Sequence, residues 1–317
     1  MSNQSNKTGR AYEYACLISL FNAIKQIRNV KIVQNSSFDA ALKSWELLDK
    51  ETQEKYLISA NSIIDTLFEF EPLIQEKNNN DILELQLQKD SKGETADVRD
   101  ILIIRSSIGW EIGLSVKHNH FAAKHSRLSP KIDFGEKWLN IPVSQNYKNE
   151  IQPIFDYLEQ EKQKGTNWHD LIDKEDKVYY PLMCAFKNEL NRIYQQHGHI
   201  VARKIVEYIL GKSDFYKVIS VDNKQKTQLQ VFNLHQQLGK NSIKKLNAVP
   251  LPTEILYLDF PKDKKNTILL CLDDGWQFSL RIHNAKTLVE PSLKFDIQIK
   301  GMPADILIID CFWHKLK

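Results

Sequence analysis

The N-terminal part of the chain places its apolar residues at the three- and four-residue intervals of amphipathic helices. In residues 10–27 the apolar side chains on one face are Ala11, Tyr14, Ala15, Ile18 and Phe21. Two further stretches, 38–49 and 51–70, are rich in Leu, Glu, Lys and Ala, and most of these residues favour helices. The pattern therefore predicts three helices before Pro72.

After this helical part the pattern changes to the two-residue alternation of β-strands. Leucines alternate with polar residues in 82–87, and 100–104 is an apolar run rich in isoleucine. A short turn separates that run from a further strand over 110–117. Three consecutive strands joined by short connections favour antiparallel pairing. The start of the second strand is then expected beside the end of the third.

The rest of the chain returns to helical spacing over 144–163 and 179–210 and then becomes rich in strands. Those strands are predicted over 216–220, 228–234, 254–260, 266–272, 276–283 and 293–299. The pair Asp274-Gly275 lies between two apolar runs, which is typical of a type I′ hairpin. No internal repeat or low-complexity linker is visible.

These elements predict an α/β (α+β) protein with a central mixed sheet flanked by helices. Residues 1–222 are predicted to form the core, with its most informative strands within about 82–117. Residues 223–317 are predicted to form a β-rich C-terminal region packed on that core.

Composition supports a globular protein of 317 residues with 42% hydrophobic and 26% charged residues. No apolar run approaches the roughly 20 residues that cross a bilayer, and the polar N-terminus lacks the apolar segment of a secretory signal. The four cysteines are far apart and include no Cys-x-x-Cys pair, so reduced thiols in a cytoplasmic protein are expected. The net charge of +3 neither requires nor excludes nucleic acid.

An acidic residue at the start of one predicted strand and a lysine at the end of the next form a pattern suited to the hydrolysis of phosphodiesters. Asp100 begins one strand and Lys117 ends the next, so antiparallel pairing brings the two together. A carboxylate can hold Mg²⁺, which neutralises phosphate charge and acidifies bound water. A nearby lysine can stabilise the developing anion or orient the nucleophile. Alone, the spacing is also compatible with an ordinary strand-entry Asp and an edge-strand Lys.

Several local segments strengthen the interpretation of this pattern. They are Ala96-Asp-Val-Arg-Asp100, Glu111-Ile-Gly-Leu-Ser-Val-Lys-His-Asn-His120 and Ala123-Lys-His-Ser-Arg-Leu-Ser129, with Gly9-Arg-Ala-Tyr-Glu-Tyr-Ala15 and Asp214-Phe-Tyr-Lys-Val-Ile219 as the preceding helix and a fourth core strand. Together they resemble the PD-(D/E)xK nucleases and, more specifically, the HaeIII family of type II restriction endonucleases. The resemblance implies Mg²⁺-dependent cleavage of double-stranded DNA at GGCC in a bacterial cytoplasm, with 5′-phosphate products.

One position departs from the nuclease pattern. Ser115, two residues before the lysine, stands where a carboxylate is usual, so a further metal ligand is expected from elsewhere. Glu111 shares the face of Ser115 but lies about 13 Å away along the strand. The predicted catalytic residues are Lys117, Asp100 and Glu13. The predicted metal ligands are Asp100 first, Asp97 and Glu13 next, and Glu111 last.

A polar and basic segment follows the lysine and is predicted to contact DNA phosphates or base edges. Its residues are His118, Asn119, His120, Lys124, His125 and Arg127. Arg or Lys paired with guanine, and Asp or Glu with cytosine, would suit a site made only of G·C pairs. The adjacent His-Asn-His does not match the dispersed ligands of HNH nucleases. A solvated loop is the alternative interpretation.

Other functions stay open at this point. Ser115 is compatible with a catalytically silent DNA-binding protein, and the superfamily also includes structure-specific repair or recombination nucleases. A palindromic target favours a homodimer, although successive nicking by a monomer would also serve. The cognate DNA methyltransferase would act on the same sequence without needing to bind this protein.

Overall fold

The computed structural model describes residues 2–77, 81–88, 97–119 and 122–314. The chain separates into two compact units, each of them discontinuous in sequence. Unit 1 comprises residues 1–121, 212–249 and 304–317, and unit 2 comprises residues 122–211 and 250–303. The β-rich C-terminal region expected over 223–317, packed on the core, stays a prediction.

The helices and strands are numbered in chain order. The helices are α1 Ser2–Ile24, α2 Ser36–Glu46, α3 Lys50–Asn61, α4 Ile64–Phe70, α5 Phe134–Leu139, α6 Gln145–Gln163, α7 Tyr180–His197 and α8 His199–Leu210. The strands are β1 Val30–Val33, β2 Leu83–Leu87, β3 Ile101–Arg105, β4 Trp110–His118, β5 Ala122–Leu128, β6 Phe215–Val221, β7 Lys226–Phe232, β8 Ile255–Asp259, β9 Thr267–Leu272, β10 Gln277–Asn284, β11 Leu293–Gly301 and β12 Ile308–Phe312. None of the helices in the described ranges is long and apolar enough to span a membrane.

Unit 1 contains a seven-stranded mixed sheet in the order β1-β2-β3-β4-β6-β7-β12. Its centre is the antiparallel meander β2-β3-β4 that the alternation predicted. β6 lies parallel to β4, and β7 then returns antiparallel. The predicted α/β class with a large mixed sheet and flanking helices is confirmed.

The residues of each central strand in unit 1 point alternately to the two faces of the sheet, and one face packs in the core. Leu114 and Val116 of β4 belong to one buried apolar cluster with Ala11 and Ala15 of α1. Small residues on α1 let the helix approach the sheet closely. The positions that alternate with Leu114 and Val116 on β4 are Gly113, Ser115 and Lys117, and they share the opposite orientation.

Unit 2 contains a five-stranded antiparallel sheet in the order β5-β11-β10-β9-β8. The predicted hairpin at Asp274-Gly275 joins β9 to β10. Both residues have positive φ, 55° for Asp274 and 86° for Gly275, as a type I′ turn requires.

The observed helices and strands differ from the predicted ones where contacts between residues distant in sequence determine the secondary structure. The predicted helix 51–70 is two helices, and the helix 179–210 is interrupted at Gly198, whose φ is +62°. Helix α5 was missed because it spans only 6 residues. Strands β1, β5 and β12 were missed because they are short or carry many polar residues, so pairing with a neighbour defines them.

Candidate active site

Asp100 and Lys117 meet at one end of the seven-stranded sheet. Asp100 directly precedes β3, Lys117 is close to the end of β4, and the two strands pair antiparallel. Lys117 Nζ lies 2.9 Å from Asp100 Oδ2. Their side chains are 26% and 23% exposed, which leaves both accessible to a substrate. The predicted meeting of these two residues is confirmed.

One oxygen of Asp100 receives three hydrogen bonds. Besides Lys117, the backbone N–H of Val116 donates to Oδ2 at 2.6 Å, and the Ser115 hydroxyl donates at 3.4 Å. Because all three reach Oδ2, the other carboxylate oxygen, Oδ1, takes none of them. Ser115 therefore supports Asp100 without adding a negative charge.

Glu13 of α1 is a second carboxylate in the neighbourhood of this pair. Burial lowers the pKa of Lys117, but the negative charges of Asp100 and Glu13 outweigh burial and raise it overall. Burial is also the main cause that raises the pKa of the Cys16 thiol, with Glu13 and Asp100 adding to the effect. The negative charges of Glu13 and Asp100 therefore both act on the side chains of Lys117 and Cys16.

These carboxylates suit a metal ion whose remaining ligands are water molecules and oxygens of the substrate. Within the described ranges, no three His, Cys, Asp or Glu side chains are grouped as in a preformed metal site. Mg²⁺ is commonly held by one or two protein carboxylates together with waters and phosphate oxygens. Asp100 and Glu13 supply two carboxylates whose negative charges both act on Lys117, and Asp100 Oδ1 is not used by Lys117, Val116 or Ser115.

Arg99 binds the two remaining predicted ligands, Asp97 and Glu111. It donates to both Asp97 carboxylate oxygens at 2.9 and 2.8 Å and to Glu111 Oε1 at 2.7 Å. Burial raises the pKa of Asp97, but the hydrogen bonds and charge of Arg99 hold it below its usual value. Gly113 provides the room, since a Cβ there would lie 2.1 Å from Arg99 Cδ. Both acids are therefore ion-paired with an arginine.

Lys217 is a candidate that the sequence patterns did not reveal. In the parallel pair β4–β6 it lies beside Ser115, so the two side chains share a face. It is 4% exposed. Burial and then the positive charge of Lys117 lower its pKa to about 8, and the charge of Asp100 acts in the opposite direction. The only local signal was a lysine within an otherwise apolar strand.

His118 and Asn119 take part in a network around Asp222. His118 Nε2 lies 3.0 Å from Asp222 Oδ2, and its ring centroid lies 4.6 Å from that of Tyr56. Asn119 Oδ1 accepts the Asp222 backbone N–H at 3.0 Å, and Lys55 Nζ lies 2.8 Å from Asp222 Oδ2. Burial raises the pKa of Asp222, but the hydrogen bonds from His118, Lys55 and Ser220 lower it overall. The network gives both residues a structural role beside their predicted contact with DNA.

The predicted DNA-binding residues on β5 lie on both faces of that strand. Lys124 Nζ donates to the Tyr208 carbonyl at 2.8 Å and lies 4.1 Å from the centroid of the Tyr208 ring. His125 and Arg127 are exposed and alternate with the buried Ser126. The alternation therefore separates Lys124 from His125 and Arg127. The sixth predicted residue, at position 120, lies outside the described residues.

Comparison with known proteins assigns the family. The family model described as HaeIII restriction endonuclease matches residues 9–303 of this chain. The chain belongs to the HaeIII restriction endonuclease family. The type II restriction enzyme HaeIII of Haemophilus aegyptius is 49% identical over 320 residues, which cover 99% of this chain and 100% of that enzyme. No solved structure matches the chain.

Membership of the HaeIII family confirms the resemblance found in the local segments and the predicted enzyme class, a type II site-specific deoxyribonuclease. Enzymes of this class bind double-stranded DNA and generally use a divalent metal ion. Asp100 and Lys117 are therefore the first residues to consider in the chemistry of this member.

Proposed function

We propose that this protein is a Mg²⁺-dependent type II restriction endonuclease that hydrolyses double-stranded DNA at GGCC and leaves 5′-phosphates. The observation that carries the proposal is the contact of Lys117 with Asp100 at the end of the sheet. Phosphodiester hydrolysis needs charge neutralisation at the phosphate and a water made more acidic. A carboxylate and a lysine at one accessible place serve those needs.

The order of elements supports a PD-(D/E)xK core. Helix α1 precedes the meander β2-β3-β4, and β6 lies parallel beside β4. In that comparison Asp100 takes the position of the first acid of the motif and Lys117 that of its lysine. Ser115 takes the position of the second acid, and Glu13 of α1 is the carboxylate that we expect to replace it.

Asp100 and Glu13 are the residues that we expect to hold Mg²⁺. When bound, the ion neutralises charge on the scissile phosphate and lowers the pKa of coordinated water. Lys117, held by Asp100, donates N–H to a phosphate oxygen and stabilises the charge that develops there. Asp97 and Glu111 orient the start of β3 through Arg99, which we consider their main role.

Lys217 is proposed as a positioning residue for Asp100 and Lys117. Its charge acts on both residues, and it lies beside Ser115 in the sheet. A carboxylate at position 115 would form an ion pair with this lysine, because opposite charges on neighbouring strands attract. Because Ser115 carries no charge, the carboxylate that attracts the Lys217 amine is that of Asp100 instead.

The proposed target also implies the partners. GGCC is identical on both strands, so a homodimer would present one site to each strand. The DNA methyltransferase of the same restriction-modification system would modify GGCC without binding this protein. A bacterial cytoplasm is the proposed location, because restriction acts on DNA that enters the cell.

A plasmid digest tests the proposal. Purified protein is incubated with Mg²⁺ and two plasmids that differ only in the presence of GGCC sites, and parallel reactions contain a chelator. Discrete fragments from the GGCC plasmid alone, absent with chelator and carrying 5′-phosphates, are the expected result. Cutting at branched or flapped junctions irrespective of sequence would identify a structure-specific nuclease, and a mobility shift without any cutting would identify a silent DNA-binding protein.

A further inference from the structure

The five-stranded sheet of unit 2 has one buried and one polar, largely accessible face. Leu280 and Ile282 of β10 and Phe295 and Ile297 of β11 are 0% exposed and form the buried face. The alternating positions carry the second face. Its residues on the three neighbouring strands β5, β11 and β10 are His125, Arg127, Lys294, Asp296, Gln298, Lys300, Ser279, Arg281 and His283.

Strand register arranges this face in rows across the sheet. His125, Asp296 and Arg281 lie directly beside one another, and so do Arg127, Lys294 and His283. Side chains opposite each other in such rows have Cβ atoms about 4.5–5.5 Å apart. Arg127 and Lys294 therefore lie side by side on this face, one row away from Arg281.

The charge of this face is positive. Arg127, Arg281 and Lys294 carry positive charge, and Asp296 is the acid among them in the rows; Glu290 also acts electrostatically on Arg127. Burial and then the charge of Arg127 lower the pKa of Lys294, as expected for closely spaced cations. Such a surface complements the phosphate backbone of a nucleic acid.

Asp296 lies in the middle of the positive face and is 7% exposed. Its Oδ2 accepts hydrogen bonds from Arg281 Nη2 at 3.0 Å and from Gln298 Nε2 at 3.2 Å. Its Oδ1 forms no hydrogen bond among the described residues but lies 3.8 Å from Nδ1 of the exposed His125. The buried carboxylate thus holds the guanidinium of Arg281, whose side chain is 52% exposed, through one hydrogen bond.

We propose that this sheet face, centred on Arg281 and Asp296, binds the DNA duplex and that Arg281 reads a guanine of the recognition sequence. The inference rests on the proposed function, which supplies a target made only of G·C pairs. Arginine bonded bidentately to guanine O6 and N7 is the commonest specific contact in the major groove. One N–H of Arg281 is used by Asp296, which leaves donors for the base edge. Arg127 and Lys294 are assigned to phosphates.

The substitution Arg281→Lys tests the base-reading role. Lysine keeps the charge and the attraction to Asp296 but lacks the planar fork of donors. Binding is measured by fluorescence anisotropy with Ca²⁺, on a GGCC duplex and on one in which GGCC is replaced by AATT, which contains no guanine. We expect the preference for GGCC to fall by about 10- to 100-fold, while affinity for the AATT duplex stays close to that of the unaltered protein.

Arg203→Lys is the matched control. Arg203 is an exposed arginine of unit 2 in an ion pair with Glu207 on α8, away from the sheet face. It is expected to leave binding to both duplexes unchanged. Arg127→Ala and Lys294→Ala are expected to weaken binding to both duplexes equally and to reduce the salt dependence of binding by roughly one phosphate contact each.

Two outcomes would overturn the inference. Folded Arg281→Lys with an unchanged GGCC preference would remove Arg281 from base reading, and an equal loss on both duplexes would make it a phosphate contact. Failure of the proposed function is distinguishable, because the unaltered protein would then leave GGCC plasmids uncut with Mg²⁺. If the unaltered protein cuts at GGCC and Arg281→Lys cuts with the same preference, only the inference about Arg281 fails.

Discussion

Lys117 Nζ lies 2.9 Å from Asp100 Oδ2, and the same oxygen accepts the backbone N–H of Val116, the residue before that lysine. The carboxylate therefore holds both the side chain of Lys117 and the strand that carries it. Asp100 and Lys117 behave as one unit, in which the loss of either partner leaves the other charge without its counterpart.

Removal of either partner of this unit is expected to abolish most of the cleavage activity. Lys117→Met and Asp100→Asn keep the side-chain volume but remove one charge each. We expect cleavage of a GGCC plasmid to slow by about 100- to 1000-fold, the cost of losing one group that stabilises developing charge. Because the two act together, the double variant is expected to be little slower than either single variant.

Single-turnover cleavage rates with Mg²⁺ provide the measurement. Lys164→Met is the control, since Lys164 is an exposed lysine in an ion pair with Glu161. Near-normal cleavage by Lys117→Met or Asp100→Asn would show that the active site lies elsewhere.

Lys217→Met separates a positioning role from a structural one. The variant removes a buried amine and keeps a side chain of similar length, so the protein is expected to remain folded. Cleavage is expected to slow by roughly 10- to 100-fold through kcat, because Asp100 and Lys117 lose a neighbouring charge. KM is expected to change little.

The matched control for Lys217→Met is Lys226→Met on the adjacent strand β7, where the lysine is ion-paired with Asp310. Thermal unfolding is recorded alongside the kinetics. A lower Tm with normal kcat would show that Lys217 serves only the packing of β6.

Gly113→Ala is expected to disrupt the interaction of Arg99 with Asp97 and Glu111. The new Cβ would lie 2.1, 2.6 and 2.9 Å from three carbons of the Arg99 side chain, so that side chain must move. Overpacking of this kind typically costs about 1–3 kcal/mol of stability. Urea unfolding measures the loss.

Gly9→Ala is the control for this substitution, because a Cβ at that position of α1 meets nothing within 4 Å. It is expected to stabilise the protein, since Ala favours helices over Gly by about 1 kcal/mol. Equal stability of Gly113→Ala and the unaltered protein would contradict the packing of Arg99 over Gly113.

Glu71 is expected to make stability depend on pH. Burial raises its pKa from 4.5 to about 7, although hydrogen bonds from Tyr216 and Gly239 act in the opposite direction. The folded state then binds more protons than the unfolded state between these values. Stability from this group is therefore fully present below pH 4.5 and is lost as pH rises through 7.

Glu71→Gln removes this titration and still offers an oxygen to Tyr216 and Gly239. Relative to the unaltered protein, its free energy of unfolding is expected to improve by roughly 3 kcal/mol between pH 4.5 and 8. The control is Glu69→Gln, a substitution of a nearby exposed glutamate paired with Lys244. Denaturant unfolding at several pH values decides the matter, and parallel profiles for all three proteins would refute a raised pKa at Glu71.

His118→Ala tests whether that residue serves structure more than DNA binding. The ring contacts Tyr12 and Tyr56 and hydrogen-bonds Asp222, so its loss is expected to destabilise the protein by about 1–3 kcal/mol. DNA affinity of the folded variant without Mg²⁺ is expected to change little. Arg127→Ala is the comparison, with weaker binding and unchanged stability. A large loss of affinity in folded His118→Ala would support the predicted contact of His118 with DNA.

The local pattern was enough to predict the part of the site that depends on neighbouring strands. Asp100 and Lys117 stand 17 positions apart, on two strands joined by a short turn, so alternation and antiparallel pairing place them together. The hairpin at Asp274-Gly275 was predictable for the same reason. Local segments around Lys117 also sufficed to recognise the family that the whole-chain comparisons confirm.

Contacts between distant parts of the chain decided the rest. Lys217 is 100 positions after Lys117, and only the parallel pairing of β6 with β4 places it beside Ser115. Arg99 can bind Asp97 and Glu111 because Gly113 has no side chain and leaves room for the arginine. The positions of these residues in the sequence do not predict that contact. The spacing of apolar and polar residues predicts backbone geometry over a few residues at a time. The free energy of packing and ion pairing depends instead on which side chains the fold brings into contact. The sequence alone therefore determined the hairpin that carries Asp100 and Lys117, and the tertiary structure decided which charges surround it.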